Sequence, residues 1–326
     1  MDLRQLHALV AVAETGTFSA AAEALHTVQS NVSSHVAHLE KELEVQLVDR
    51  HDGSLTEEGV AVVDRARRVN FELEALVADV AAMRSEVVGT VRIGMIGTTA
   101  RWLTPRLLDS LGTAHPRVRP VFAEGTSATL LPGVAGGLYD AALVNLPVTH
   151  RELVPAPLFN EELVLVIKAE HSLAGRRRVR LGDLAELPLL LPAPDTAYRD
   201  EIDNAARRAG VTLRPRAELD GLRLIASLTW QGYGPAILPA SGAAGMAAGY
   251  VRIPVADLPP RRVGTIVRRG RPSAPTRAVL DVLRAIVAEL PTAGESAPAI
   301  SPAPELLPAL SPAAPAEPGA GPQSRR

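Results

Sequence analysis

The apolar positions near the amino terminus recur at the spacing of α-helices. A first amphipathic helix is predicted because apolar residues recur three and four positions apart, at Leu3, Leu6, Leu9, Val10 and Ala13. Ser19 is a suitable N-cap for a short second helix that ends near Leu25. A third helix is predicted from one apolar stripe formed by Val32, Val36, Leu39 and Leu43. The segment is therefore expected to fold as a small three-helix unit.

The face of the third helix opposite this stripe is polar. Two helices joined by a turn, the second with a short polar outer face, form the arrangement that enters the major groove of DNA. A generic helical module whose polar face is merely solvated is the alternative. The polar residues are Ser30, Asn31, Ser34 and His38, with Gln29 and Ser33 in the same first turns.

A longer amphipathic pattern begins at Thr56, which can cap a helix whose first turn holds Glu57 and Glu58. Its apolar residues alternate at spacings of four and three, as in a coiled-coil seam: Val62, Ala66, Val69, Leu73, Leu76, Val80, Met83 and Val87. A helix of roughly 30 residues is about 45 Å long, too long for the small first domain to cover. Pairing with the same helix of a second subunit is favoured over burial within one chain, and Gly89 is expected to end the helix.

Strands and helices alternate after this point, which predicts parallel sheets with helices on both faces. The predicted strands are 91–96, 118–123, 141–144, 163–167, 189–191, 236–238 and 265–267, with another near Leu219. The predicted helices are 102–111, 198–209, 221–231 and 276–290, the last returning to the first lobe. Residues 291–326 are rich in proline and alanine without apolar periodicity, which predicts disorder.

Composition narrows the class of protein. A chain of 326 residues suggests about two or three domains, and a hydrophobic content of 47% is enough for their cores. The absence of cysteine excludes disulfides, a thiol nucleophile and cysteine metal sites. No apolar run has the length of a membrane span or of a signal peptide. We therefore expect a cytoplasmic bacterial protein with no membrane contact.

The charge balance complicates the DNA-binding interpretation. Residues 1–56 carry three cations and eight acids, a net charge of −5, whereas a basic footprint is usual for phosphate binding. A few well-placed cations suffice, and Arg50 is the best candidate. Residues 89–290 carry 25 cations and 18 acids, a net charge of +7. This favours an anionic ligand near Arg101, although surface arginines encoded by a GC-rich genome are the simpler explanation.

Five blocks of the amino-terminal region resemble the signature of the LysR-type transcriptional regulators, at 17–25, 28–33, 39–43, 47–50 and 55–59. Phrases in the later α/β region resemble the same family, at 115–118, 138–142 and 231–239. The chain departs from the family at four positions, where proline, arginine, glycine and phenylalanine are common: Ser30, Ser34, Glu44 and Val48. Loss of the arginine implies a different or weaker base contact, because arginine reads guanine edges best.

The resemblance covers about residues 1–290 and implies a domain plan. Residues 1–58 would form a winged helix-turn-helix, 59–88 a linker and dimerisation helix, and 89–290 a two-lobed α/β effector domain built like a periplasmic binding protein. It also implies promoter DNA as a partner, homodimers paired through 57–87 that assemble into tetramers, and a small-molecule effector between the lobes. The expected DNA-binding residues are Ser19, Gln29, Ser30, Asn31, Ser33, Ser34, His38 and Arg50.

Candidate effector-binding residues follow the predicted strands, since ligands of open α/β sheets bind beyond the carboxyl ends of strands. They are Thr98, Thr99, Arg101, Thr126, Ser127, Asn145, Asp195, Thr196, Tyr233 and Ile237. Helix capping is the alternative role for the threonines and the serine. No catalytic constellation, metal site or cofactor motif is evident. An enzyme on a binding-protein-like fold and a ligand-independent architectural DNA binder remain the alternative functions.

Overall fold

The computed structural model describes residues 1–49, 53–84, 86–194, 196–243, 249–290 and 300–305. It begins with three helices, α1 (Leu3–Thr15), α2 (Phe18–Ala24) and α3 (Gln29–Leu43). Thr17, not the predicted Ser19, caps α2, because its extended backbone lets its hydroxyl accept a hydrogen bond from the Ala20 amide. Leu43, the last residue of α3, is 38% exposed, whereas the other three residues of the predicted stripe are buried.

A long helix, α4 (Glu57–Ala82), follows an isolated bridge between Val48 and Leu55. The Thr56 hydroxyl accepts from the Gly59 amide, so the predicted cap is confirmed. The predicted end at Gly89 is wrong: α4 ends at Ala82, and Val87 packs instead against the core of the following lobe. Beyond Ala66, the seam residues Val69, Leu73, Leu76, Val80 and Met83 are between 39% and 84% exposed.

The rest of the chain forms two α/β lobes joined by two crossings. The first crossing lies at residue 162, and the second lies between residues 254 and 261. The first lobe contains β1 (Gly89–Ile96), α5 (Gly97–Ala114), β2 (Val118–Gly125), α6 (Ser127–Gly136), β3 (Ala141–Asn145) and β4 (Leu153–Glu161). The second contains β5 (Leu163–Lys168), β6 (Pro188–Pro192), α7 (Ala197–Arg208), β7 (Arg214–Leu219), α8 (Leu222–Trp230), β8 (Ala236–Pro239) and β9 (Tyr250–Pro254). The chain then returns to the first lobe as β10 (Arg261–Arg268), α9 (Ala274–Ala288) and β11 (Ile300–Pro302).

Both sheets are mixed, so the prediction of parallel sheets is wrong for several strands. The first sheet has the order β11-β4-β10-β3-β1-β2 and the second β7-β6-β8-β5-β9. In the first sheet β1 runs parallel to β2 and β3, whereas β10 runs antiparallel to β3 and β4. In the second, β5 runs antiparallel to β8 and β9. The reason is topological: β4 carries the chain out of the first lobe and β10 carries it back, so these neighbouring strands run in opposite directions.

The prediction that residues 291–326 are disordered is wrong for residues 300–305, the part of this stretch that the structure describes. Residues 300–302 pair with β4, and Ala303 is only 1% exposed. A strand of three residues has no apolar alternation to reveal it, and its pairing depends on a partner far away in sequence. The rest of this stretch lies outside the described residues. Among the described residues, every helix is too short or too polar to cross a lipid bilayer.

Candidate DNA-binding helix and interlobe site

The amino-terminal helices present one face of α3 to solvent. Val32, Val36 and Leu39 are buried and anchor the opposite side of the helix. The Asn31 side-chain Nδ2 donates to the Thr27 hydroxyl over 3.0 Å, and the Ser34 hydroxyl lies 3.4 Å from His38 Nδ1. The exposed candidates are Gln29, Ser30, Asn31, Ser34 and His38, with Ser33 half-buried and Ser19 exposed on α2. Arg50 lies outside the described residues.

A buried ion pair lies where the two lobes join. Glu161, the last residue of β4, is 0% exposed, and Arg261, the first residue of β10, is 4% exposed. The Arg261 Nε donates to Glu161 Oε1 over 2.7 Å, and the second Glu161 oxygen accepts from the Ser241 amide over 3.0 Å. Removing either charge from water costs free energy, and the hydrogen bonds between Glu161 and Arg261 offset that cost only while the two residues stay in contact. The pair therefore holds β4 and β10 together where the chain crosses between the lobes.

Thr98 belongs to this ion-pair cluster. Its hydroxyl accepts a hydrogen bond from Arg261 Nη2 over 2.8 Å, and the residue is 3% exposed. The sequence placed Thr98 and Thr99 ahead of their helix, but α5 begins at Gly97 and both residues are buried in its first turn. The Thr99 hydroxyl is buried without a hydrogen-bond partner among the described residues.

Thr98→Val is expected to lower the free energy of unfolding by about 1–3 kcal/mol, because it leaves an Arg261 donor buried without its acceptor. Urea unfolding of the variant measures this loss. Thr126→Val, which changes an exposed cap, is the matched control and should cost about 1 kcal/mol. A Thr98→Val protein as stable as wild type would contradict the assigned role of the hydroxyl.

Three further candidates lie together at the carboxyl ends of β2 and β3. Thr126 caps α6 by accepting from the Thr129 amide, in a capping box with that residue. The Ser127 hydroxyl accepts from the Asn145 amide over 3.1 Å, and the Asn145 Oδ1 is buried without a partner among the described residues. Thr126 therefore has the predicted capping role, and Ser127 lies beside Asn145, whose side-chain oxygen is unpartnered.

Side chains of the two lobes touch each other. The Arg101 guanidinium of α5 lies 4.4 Å from the centroid of the Trp230 ring of α8. Arg223 of α8 forms an ion pair with Glu124 at the end of β2. One arginine from each lobe therefore interacts with the opposite lobe.

The second-lobe candidates have local structural roles. The Thr196 hydroxyl accepts from the Arg199 amide and caps α7. Ile237 is 1% exposed within the second core, and its carbonyl accepts from the Tyr198 hydroxyl, whose pKa is raised by burial. Tyr233 is 53% exposed. Asp195 lies outside the described residues.

Four residues that connect the lobes were not predicted from the sequence: Glu124, Glu161, Arg223 and Arg261. Glu161 and Arg261 are 100 residues apart, and Glu124 and Arg223 are 99 apart. No local spacing links partners at such separations. An acid two residues after the apolar run 153–159, as Glu161 is, was the available signal. Within the described ranges, no cluster of three or more histidine, aspartate and glutamate side chains could hold a metal ion.

A helix-turn-helix with an exposed polar face, a long helix and two α/β lobes together define a DNA-binding regulator with an effector domain. Residues 3–60 match the family model described as bacterial regulatory helix-turn-helix protein, lysR family. Residues 84–288 match the model described as LysR substrate binding domain. The chain belongs to the LysR family and is a ligand-responsive, DNA-binding transcriptional regulator.

The chain is similar to several characterised and solved family members. A probable hydrogen peroxide-inducible genes activator of Mycobacterium leprae is 34% identical over 73% of this chain and 78% of its own length. The dual regulator OxyR of Escherichia coli is 30% identical over 83% of this chain and 91% of its own. A variant of full-length OxyR from Pseudomonas aeruginosa superposes with a TM-score of 0.73 at 25% identity, covering 89% of this chain and 95% of that one. Full-length CbnR bound to its target DNA has a TM-score of 0.64 at 25% identity, covering 87% and 99%.

Proposed function

We propose that this regulator reads promoter DNA in the bacterial cytoplasm through the exposed polar face of α3. The observation that carries the proposal is the orientation of that helix, since Val32, Val36 and Leu39 bury one side and leave the polar side free. Side-chain amides and hydroxyls bind base edges in the major groove, and asparagine pairs well with adenine. The family likeness to CbnR, which is solved with its target DNA, supports DNA binding by this chain.

Asn31→Glu combined with Ser34→Glu is expected to weaken specific promoter binding by at least tenfold. The new carboxylates replace groove contacts, each worth about 1–3 kcal/mol, and repel the phosphates. Fluorescence anisotropy with the DNA upstream of the regulator's own gene measures the affinity. Ala114→Glu, an exposed position at the end of α5, is the control that adds charge away from the groove face. Unchanged affinity of the double variant would remove α3 from the DNA interface.

We also propose that two chains pair through the exposed apolar stripe of α4 and that dimers assemble into tetramers. A single chain leaves Leu73, Leu76, Val80 and Met83 in solvent, whereas a stripe of this length on one helix is typical of an interaction surface. Pairing places two α3 helices on one DNA, as the symmetric sites of dimeric helix-turn-helix proteins require.

The proposed effector is a small anionic molecule held between the lobes. Arg101 and Arg223 come from opposite lobes and reach across to each other's lobe, and the unpartnered Thr99 hydroxyl and Asn145 amide oxygen supply polar groups on the first lobe. Thermal-shift screening of carboxylates and phosphates tests this class. A melting temperature raised only by neutral or cationic compounds would refute it.

Two other activities are less well supported. Several relatives are named hydrogen peroxide-inducible activators, but these 326 residues contain no cysteine, so a response through thiol oxidation cannot occur in this chain.

Enzymatic activity lacks a site: the histidines His115, His150 and His171 have no partner spaced for nucleophilic or metal chemistry. We therefore propose a binding function without catalysis.

A further inference from the structure

The short strand β11 lies at the junction between the lobes. It pairs antiparallel with the last residues of β4, so that Pro302, Ser301 and Ile300 stand opposite 159, 160 and 161. β4 ends at this point and β5 of the second lobe begins at Leu163. The carboxy-terminal strand therefore covers the edge of one of the two strands by which the chain crosses between the lobes.

Side-chain and backbone contacts attach residues 300–305 firmly to this junction. The Ala303 amide donates to the Leu158 carbonyl over 3.0 Å, and Ala303 is 1% exposed. Glu305 forms an ion pair with Arg262 of β10 at 3.1 Å, which reaches the second crossing strand. The strand is thus connected to both crossings.

Ile300 contacts the hydrophobic cores of both lobes. It packs against the first-lobe core that contains Phe159 and Val263. It also packs against the second-lobe core that contains Val164 and Leu238. Its backbone partner is Glu161, which forms the buried ion pair with Arg261. A rotation of one lobe against the other would have to break or slide these contacts, because cores are close-packed.

We propose that residues 300–305 act as a hinge strap that restricts the rotation of the two lobes. The inference rests on the proposed function, in which an effector binds between the lobes. Hinges work through a few residues at the ends of elements that absorb changes in φ and ψ. Residues 300–302 pair with the last residues of β4, directly before the chain crosses to the second lobe. This pairing limits the backbone rotation available there, so it favours one relative position of the lobes.

Truncation tests the strap directly. One variant ends at Ala299 and lacks it, and a control variant ends at Glu305 and keeps it. The chain has no cysteine, so Arg119→Cys in the first lobe and Arg214→Cys in the second accept spin labels without background. Both positions are exposed. Double electron–electron resonance then measures the distance between the lobes in the full-length and both truncated proteins.

The chain that ends at Ala299 is expected to show a broader distance distribution with a shifted mean, and the chain that ends at Glu305 is expected to match the full-length protein. Identical distributions in all three proteins would overturn the proposal. A lower melting temperature with an unchanged distribution would also overturn it, because β11 would then only add stability. Ala303→Asp in the full-length chain repeats the test if the truncated protein does not fold.

Promoter affinity of the labelled full-length protein is measured separately. A full-length protein that fails to bind DNA refutes the proposed function but leaves the strap intact if the distributions still differ. A protein that binds DNA normally, with no effect of the truncation on lobe distance, refutes the strap alone.

Discussion

Glu161→Ala is expected to lower the free energy of unfolding by about 3–5 kcal/mol, the cost of leaving one ion of a buried pair without its partner. In the variant the Arg261 guanidinium, which is 4% exposed, has lost its carboxylate partner, and the Ser241 amide has lost its hydrogen-bond acceptor. Both losses occur at the junction of the lobes. Urea unfolding followed by circular dichroism should therefore show a much lower midpoint for the effector lobes.

Two further variants make this test specific. Glu162→Ala removes the neighbouring acid, whose partner Arg178 is 61% exposed, and surface pairs of this kind contribute about 0–1 kcal/mol. The double variant Glu161→Leu with Arg261→Met is expected to recover most of the loss that comes from the unpaired Arg261 charge, because apolar residues of similar size often replace a buried ion pair at little cost. The Ser241 amide still lacks its acceptor in this variant, so the recovery is incomplete. A loss no greater for Glu161→Ala than for Glu162→Ala would show that the pair is not effectively buried.

Leu73→Asp combined with Leu76→Asp is expected to convert the regulator to monomers and to weaken promoter binding by about a hundredfold or more. Both side chains are already exposed in the single chain, at 39% and 62%, so the substitutions leave the protomer folded. In a dimer they place unpaired carboxylates in the seam, where burial costs several kcal/mol. Separated chains lose the effective concentration that links two DNA-binding domains, a factor of about 10²–10⁴.

Light scattering and anisotropy check the two effects on the same samples. Leu224→Asp is the matched control, since Leu224 is 48% exposed but lies on α8 of the second lobe. The control should stay oligomeric and bind DNA normally. A fully dimeric Leu73→Asp/Leu76→Asp protein would show that the stripe of α4 is not the subunit interface.

The amino-terminal part was predictable because its information is local. Helix periodicity placed α1, α3 and α4, and the Thr56 cap was readable from its neighbours. The polar face of α3 followed from the same three- and four-residue spacing. Errors there were displaced helix ends, such as a cap at Thr17 instead of Ser19 and a helix end at Ala82, seven residues before the predicted Gly89. Such ends depend on which backbone groups find partners, and apolar spacing does not encode that.

The effector region was predictable in class but not in its connections. Alternating apolar segments determined by themselves that the chain would form α/β lobes, since each segment must bury an apolar face. Only the tertiary structure decided that β4 and β10 lie side by side, that Glu161 meets Arg261 and that Ile300 pairs with β4. These partners are 100 or more residues apart along the chain. The sequence thus determined the elements, through local spacing, and the topology of the folded chain determined which of them meet at the hinge.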